Sequence, residues 1–277
     1  MKKFVCLTLC TLLWAGLVQA QGVTTGSLTG VVVDPNNEAM PGVAVVATLP
    51  ATGNRYGTVT DVEGRFRMVN LKVGGPYDVQ ASLSGFQTVT LNDVYVRLGE
   101  ATYLEVALQL EAATGEIEVI GESSPLIAPT KMGVASSVSQ GSLEALPTID
   151  RSVYDMARTN PVFATYSEGD GEATVLSVSG RNPRYNNISI DGAVNNDVFG
   201  LADTGTPGGQ TGTNPIQLDA VQELQLVTSS FDVRQGGFTG GSVNIITKSG
   251  TNNFHGGLFG YTSSDSWVGG GPDYFGE

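Results

Sequence analysis

The sequence predicts a mostly β chain: a β-sandwich at the amino end, then a mixed α/β domain, then the start of a β-barrel wall. Three observations predict this order. Short stretches of alternating apolar and polar residues recur between turns over residues 22–111. Short helical patterns lie between predicted strands in residues 131–250. From Phe254 onward, aromatic and glycine residues alternate, as they do in many barrel walls.

Residues 1–20 are predicted to be a signal peptide. Lys2 and Lys3 precede an apolar stretch, and Val-Gln-Ala at 18–20 is a small-residue cleavage pattern that places the cut between Ala20 and Gln21. The apolar stretch is short for a membrane-spanning helix, so the alternative of a membrane anchor is weaker.

Composition excludes several functions for residues 21–277. Both cysteines, Cys6 and Cys10, lie in the predicted leader, so no disulfide or thiolate chemistry is expected after it. Without Lys2 and Lys3, 12 basic residues face 27 acidic ones, a net charge of −15. Nucleic-acid binding is therefore not expected, because it requires a basic surface.

Residues 22–111 show the alternation of apolar and polar residues that is typical of a sandwich, whose strands have one buried and one solvent-exposed face. Turn sequences rich in proline, glycine, asparagine and aspartate separate the strands. Seven strands are predicted, at residues 27–33, 43–49, 56–60, 65–68, 77–83, 86–91 and 104–110.

This segment is similar to the carboxypeptidase-regulatory-like (transthyretin-like) domain at residues 30–34, 41–43, 60–66, 77–79 and 85–86. Related sandwiches include starch-binding modules, so glycan binding is an alternative to a structural role. Sugar sites usually present exposed aromatic rings, whereas Tyr77 and Phe86 stand at inward-facing positions. We therefore favour a structural role, since a fold alone does not specify a site. The other aromatic candidates are Tyr56, Tyr95 and Tyr103.

Residues 112–130 form a predicted linker that contains one strand-like segment. In that segment, residues 116–120, charged and β-branched residues alternate: Glu116, Ile117, Glu118, Val119 and Ile120. An exposed strand of this kind can pair edge-on with another protein. An ordinary first strand of the following domain is the alternative.

The mixed domain, residues 131–250, is predicted from short helices and strands. Residues 143–146 suggest a helical turn, and Val153, Met156 and Ala157 lie on one face of a second helix with Asp150 as its N-cap. A further short helix is expected around 218–224. Strands are predicted at residues 175–180, 188–192, 224–228 and 243–246.

Two motifs resemble the plug domain of TonB-dependent outer-membrane receptors, most closely the Oar-like members. The first is Ser-Gly-Arg-Asn-Pro-Arg-Tyr-Asn-Asn-Ile-Ser-Ile-Asp-Gly at 179–192, which contains Arg181, Arg184, Asp191 and Gly192. Many relatives have an arginine directly before the glycine, where this chain has Ser179. We expect Arg181 and Arg184 to supply the missing plug-to-barrel contacts.

The second motif runs from 231 to 261 and joins the plug to the first barrel strand in that family. Its glycines permit positive φ and close backbone approach, and the resemblance implies a plug-to-barrel hinge there. The hinge residues are Gly236, Gly237, Gly240 and Gly241.

The resemblance implies that residues 116–120 are the TonB box, which adds a strand to the energy-transducing TonB complex. It also implies a plug that gates uptake of an unknown substrate, a sandwich in the periplasm, and contact with outer-membrane lipid through a barrel. Residues 254–277 hold one or two strands, whereas such a barrel needs about 22. We therefore expect residues 251–277 to begin a barrel that this sequence truncates. An exported glycan-binding or surface module is the alternative.

Nothing in the sequence indicates an enzyme or a cofactor. A zinc peptidase or a Ser-His-Asp site needs more than the single histidine, His255, and no phosphate-binding loop is present. Asp191, Asn195, Asn196 and Asp197 lack the closing glutamate of an EF-hand and indicate a turn-rich loop rather than a calcium site.

Overall fold

A computed structural model describes residues 23–110, 133–146, 148, 151–168, 173–230, 235–254 and 256. Mostly β structure is confirmed, and the strands fall into two units. The candidate TonB box, the signal cleavage site and the predicted barrel strand after Phe254 lie outside the described residues.

The first unit is a sandwich of seven strands, as the alternation predicts. Its strands are β1 (Thr25–Val33), β2 (Ala44–Leu49), β3 (Asn54–Val59), β4 (Arg65–Lys72), β5 (Gly74–Ser82), β6 (Val89–Val96) and β7 (Ala101–Ala107). The strand predicted at 86–91 begins later and runs further than expected, since β6 covers Val89–Val96.

Two sheets form this sandwich, ordered β4-β1-β7 and β3-β2-β5-β6. Strands β1 and β7 pair in parallel, and the remaining pairs are antiparallel. Alternate residues of each strand point between the sheets, so Leu28, Tyr77 and Leu104 are fully buried there. The prediction that Tyr77 belongs to the core is confirmed, and Phe86 packs against that core while partly buried.

In its described residues, the second unit contains a mixed sheet, a separate hairpin and two short α-helices. The helices are α1 (Gln140–Ala145) and α2 (Val153–Ala157). The strands are β8 (Gly133–Ser139), β9 (Phe163–Glu168), β10 (Ala173–Val178), β11 (Asn187–Ile190), β12 (Ala193–Val194), β13 (Val221–Ser230) and β14 (Ser242–Thr247).

Five of these strands form one sheet in the order β12-β11-β14-β13-β8. Strands β11 and β14 are parallel, and the other neighbours are antiparallel. One face of the sheet is apolar and forms a core with α2, Phe163 of β9 and Leu176 of β10. The β9–β10 hairpin stands beside the five-stranded sheet as a sheet of its own.

Two local predictions in the second unit are corrected. The N-cap of α2 is Ser152, whose hydroxyl accepts the Tyr154 N–H at 3.1 Å, and not Asp150. The helix expected around 218–224 is only a 3₁₀ turn, Leu218–Ala220, after which the chain extends directly into β13. Among the described residues, no helix has both the length and the apolar character that crossing a membrane requires.

Candidate functional site

Asp191 and Gly192 lie in the turn after β11, where both have positive φ, 49° and 81°. The Asp191 carboxylate accepts two hydrogen bonds from Thr247 at the end of β14, from the amide at 2.9 Å and the hydroxyl at 2.7 Å. Asp191 therefore fastens the turn to the neighbouring parallel strand. This contact is structural.

Arg184 lies on the 3₁₀ turn Pro183–Tyr185 and pairs with Asp203 at 3.0 Å, with both side chains exposed. Arg181 follows β10, where its amide donates to the Val178 carbonyl at 3.0 Å. A surface pair of this kind contributes little to stability, about 0–1 kcal/mol. Contacts of either arginine with a barrel remain a prediction.

The four predicted hinge glycines divide into two kinds. Gly236 has open space around it, and Gly237 adopts φ of 78° in a turn. Gly240 and Gly241 instead approach other chain segments closely: a Cβ on Gly241 would lie 2.8 Å from Val178 Cγ1, and one on Gly240 would collide with Asn186 Oδ1. The second pair is therefore packed, and its glycines serve close approach to β10 and to the turn before β11.

The face of the five-stranded sheet opposite the apolar core is polar, yet buried. Hydrogen bonds cross it from strand to strand: Ser189 Oγ donates to Asn244 Oδ1 at 2.6 Å, and Asn244 Nδ2 donates to Gln225 Oε1 at 3.0 Å. We call these residues and their neighbours the polar ladder. Its members are Asn187, Ser189, Ser242, Asn244, Glu223 and Gln225, all at most 9% exposed.

The sandwich contacts the polar ladder through the turn between β6 and β7. Leu98 in that turn is fully buried, and both of its backbone polar groups are bound by neighbouring same-face residues of β13. Its N–H donates to Glu223 Oε1 at 3.0 Å, and its carbonyl accepts from Gln225 Nε2 at 2.9 Å. We call this contact the Leu98 junction.

An apolar cluster surrounds the Leu98 junction. The Leu98 side chain packs with Val23 and Val73 of the sandwich and with Ile246 of β14, and all four are buried. Gly99 follows Leu98 with φ of 66°, and a Cβ there would lie 3.2 Å from Gln225 Nε2. The turn therefore approaches β13 closely because residue 99 has no side chain.

Glu223 supplies the carboxylate that binds the turn of the sandwich. Its Oε1 accepts from the Ser137 hydroxyl of β8 as well as from Leu98. Burial raises the pKa of Glu223 above its ordinary value; the hydrogen bonds from Ser137 and Leu98 and the charge of Arg97 lower it in part, and Glu100 raises it further.

A second feature is the loop that follows β12. Asp197 Oδ1 accepts the Phe199 N–H at 3.0 Å, and Oδ2 accepts the Ala202 N–H at 2.6 Å. The hydrogen bond from Ala202 is the main reason that the pKa of Asp197 lies below its ordinary value. The loop presents Val198, Phe199 and Leu201 to solvent, with Phe199 85% exposed. The turn-rich loop predicted here is present, and its carboxylate organises backbone amides.

Sequence reasoning missed the Leu98 junction. Glu223 and Gln225 alternate with Leu224 and Leu226, a pattern that predicts a strand with one buried and one solvent-exposed face. The same polar alternation occurs in Ser242 and Asn244 of the partner strand. Two paired strands with short amides and hydroxyls on the same face were the available signal that this face is covered by protein.

The chain matches the model of the carboxypeptidase regulatory-like domain over residues 27–109. It is also 26% identical over 263 residues to the TonB-dependent transporter Oar of Myxococcus xanthus. That match covers 88% of this chain and 23% of the transporter, so the chain spans about a quarter of its relative's length. The resemblance noted from the sequence is thereby confirmed: the chain is a homologue of a TonB-dependent transporter, and it carries a carboxypeptidase regulatory-like domain.

Similar solved structures cover about a third of the chain. The Bacillus anthracis TIE protein is 19% identical at a TM-score of 0.26, covering 31% of this chain and 17% of that one. Catechol 1,2-dioxygenase of Acinetobacter radioresistens is 14% identical at a TM-score of 0.27, covering 35% and 56%. Similarity at this level says nothing about activity.

Proposed function

We propose that this homologue of a TonB-dependent transporter forms the amino-terminal part of an outer-membrane receptor, in which residues 131–250 plug a barrel and gate uptake. The sandwich would lie in the periplasm, and residues 116–120 would bind the TonB complex. The observation that carries the proposal is the match to Oar, which extends over both structural units rather than over the sandwich alone.

The fold of the second unit supports this proposal. Its small mixed sheet has protein on its apolar face and a polar, buried opposite face. A domain enclosed by a larger structure needs many satisfied polar groups, because each buried donor or acceptor left unpaired costs about 1–3 kcal/mol. The polar ladder is a set of such satisfied groups.

The alternative of a glycan-binding module has weaker support. Of the aromatic residues considered for sugar stacking, Tyr77 is in the core, and Tyr56 packs on it with ring centroids 6.3 Å apart. Tyr95 is the one that stands clearly exposed, at 49%. A single exposed ring makes a poor stacking platform. We propose no catalytic role for the chain.

Cross-linking tests the proposal in the full-length protein within its own outer membrane. Residues 21–277 contain no cysteine, so Glu118→Cys introduces a unique thiol into this region. We expect it to cross-link to a cysteine in the periplasmic domain of TonB. Val119→Pro should abolish the product because proline removes a backbone donor from the added strand.

Ala113→Pro is the matched control, since it places the same residue type in the linker outside the segment 116–120. It should leave the cross-link intact. No cross-link from any position in 116–120 would refute the assignment of the TonB box, and equal loss with both prolines would show that the segment has no special role.

A further inference from the structure

We propose that Glu223 couples docking of the sandwich to the seating of strand β8, so that withdrawal of β8 from the sheet weakens the hold on the sandwich. The Leu98 junction is formed by both units, so the coupling exists only when the two units are in contact. It rests on the proposed function only for the source of the force, which would act on β8 through residues 116–120.

The coupling arises because one oxygen atom serves two elements. Glu223 Oε1 accepts the Leu98 N–H of the sandwich at 3.0 Å and also the Ser137 hydroxyl of β8. Glu223 itself belongs to β13, which lies between β8 and β14 in the sheet. A movement of either donor therefore changes the environment of the same carboxylate.

Because the Glu223 carboxylate is buried, the loss of either hydrogen-bond donor is energetically costly. Glu223 is 4% exposed and Leu98 is 0% exposed, so little water reaches the carboxylate while the sandwich is docked. Loss of a donor to a buried charged group costs about 1.5–3 kcal/mol or more. If Ser137 leaves, undocking of the sandwich relieves that cost, because Glu223 is then hydrated. By linkage, undocking must weaken the seating of β8 by the same factor.

Strand β8 is the element best placed to move. It is an edge strand, and β13 is its one partner among the described strands. Its apolar anchoring rests mainly on Val138, which is buried, whereas Val134 is 63% exposed. It is also the first described element after residues 116–120. A pull on those residues reaches β8 before any other part of the sheet.

Hydrogen exchange on the whole chain tests the coupling in the absence of TonB. The Leu98 amide reports docking, and the β8 amides report the seating of that strand. We expect Ser137→Ala to accelerate exchange at Leu98 by roughly tenfold or more, the factor for one hydrogen bond to a charged group. Ser139→Ala is the control, since this β8 hydroxyl contacts Ser142 and should leave Leu98 unchanged.

The reciprocal arm uses Leu98→Ala, which removes apolar contact with Val23, Val73 and Ile246. It should accelerate exchange in β8, whereas Val62→Ala at an exposed sandwich turn should not. In a Glu223→Gln background, which removes the charge, the effect of Ser137→Ala at Leu98 should shrink.

Unchanged Leu98 exchange in Ser137→Ala overturns the proposal, as does an equal change in Ser139→Ala or an undiminished effect in the Glu223→Gln background. If Ser137→Ala fails to fold, Ser137→Thr replaces it, because threonine keeps the hydroxyl and alters the packing. In that case the effect of Leu98→Ala on exchange in β8 decides whether the coupling exists. These outcomes are independent of the TonB cross-link, so failure of one experiment leaves the other standing.

Discussion

The two sheets of the sandwich and the five-stranded sheet of the second unit bury their faces in different ways. In the sandwich, each sheet covers the apolar face of the other, and outward residues such as Arg65 and Arg67 of β4 are exposed. In the second unit, the sheet has one apolar buried face and one polar buried face. The main core of the sandwich is thus enclosed by its own two sheets, whereas the second sheet has buried residues on both faces.

The two units are therefore stabilised by different kinds of interaction. Apolar burial dominates the sandwich, and each fully buried side chain contributes about 1.5–3 kcal/mol. Each hydrogen bond of the polar ladder contributes less to stability than a buried apolar side chain does. A ladder residue left without its hydrogen-bond partner would, however, destabilise the fold strongly. Four predictions test the contrast, starting with the largest effect.

Leu28→Ala in the sandwich and Leu224→Ala in the second sheet should each cost about 2–5 kcal/mol, because both side chains are fully buried in separate cores. Denaturant unfolding followed by hydrogen exchange in each unit measures the loss. Val62→Ala, at an exposed turn, should stay within about 0.5 kcal/mol. If either leucine variant destabilised both units equally, the two cores would not be separate.

Asn244→Ala should destabilise the second unit by about 1–3 kcal/mol, because in a buried face it removes the acceptor of the Ser189 hydroxyl and the donor to Gln225 Oε1. Thr90→Ala, on the exposed outer side of the sandwich, is the matched change and should be nearly neutral. Equal effects of the two substitutions in denaturant titrations would mean that the ladder is solvated like an ordinary surface.

Gly241→Ala should cost about 1–3 kcal/mol by overpacking, since the new Cβ would lie 2.8 Å from Val178 Cγ1. Gly236→Ala should cost much less, because nothing lies within 4 Å of the added atom. Thermal unfolding distinguishes them. A similar loss at both positions would argue that the glycines act by backbone freedom throughout, as a hinge would require.

The last prediction concerns the pH dependence of stability that Glu223 produces. Because burial raises the pKa of Glu223 in the folded chain, the folded state binds more protons than the unfolded state above the ordinary pKa. Its contribution is therefore fully present at low pH and falls as pH rises toward the raised pKa, by at most about 1.4 kcal/mol per pH unit. Glu223→Gln should remove this slope in stability measured from pH 4 to 8, and an unchanged slope would assign it to other groups.

The sandwich was largely predictable because alternation over short strands is a local signal. Tyr77, Leu28 and Leu104 all stand at positions where the pattern places them inside. The match of residues 27–109 to a known domain agrees with the motifs at 30–34 and 60–66.

The Leu98 junction was not predictable in the same way. Local alternation on β13 separates Glu223 and Gln225 from the apolar residues but cannot say whether water or another unit covers them. The cap of α2 was missed for a related reason: Asp150 and Ser152 are both good capping types, and tertiary placement of Tyr154 in the core decides between them. The TonB box and the barrel strand stay predictions.

The parallel pairing of β1 with β7 has a mechanical consequence. The seven residue pairs from Ser27–Ala101 to Val33–Ala107 join the first and last strands of the sandwich side by side. Tension applied between the two ends of this unit loads those backbone hydrogen bonds in shear, so they must rupture together rather than unzip one by one. The sandwich is thereby suited to stay folded while a neighbouring segment of the same chain is under load.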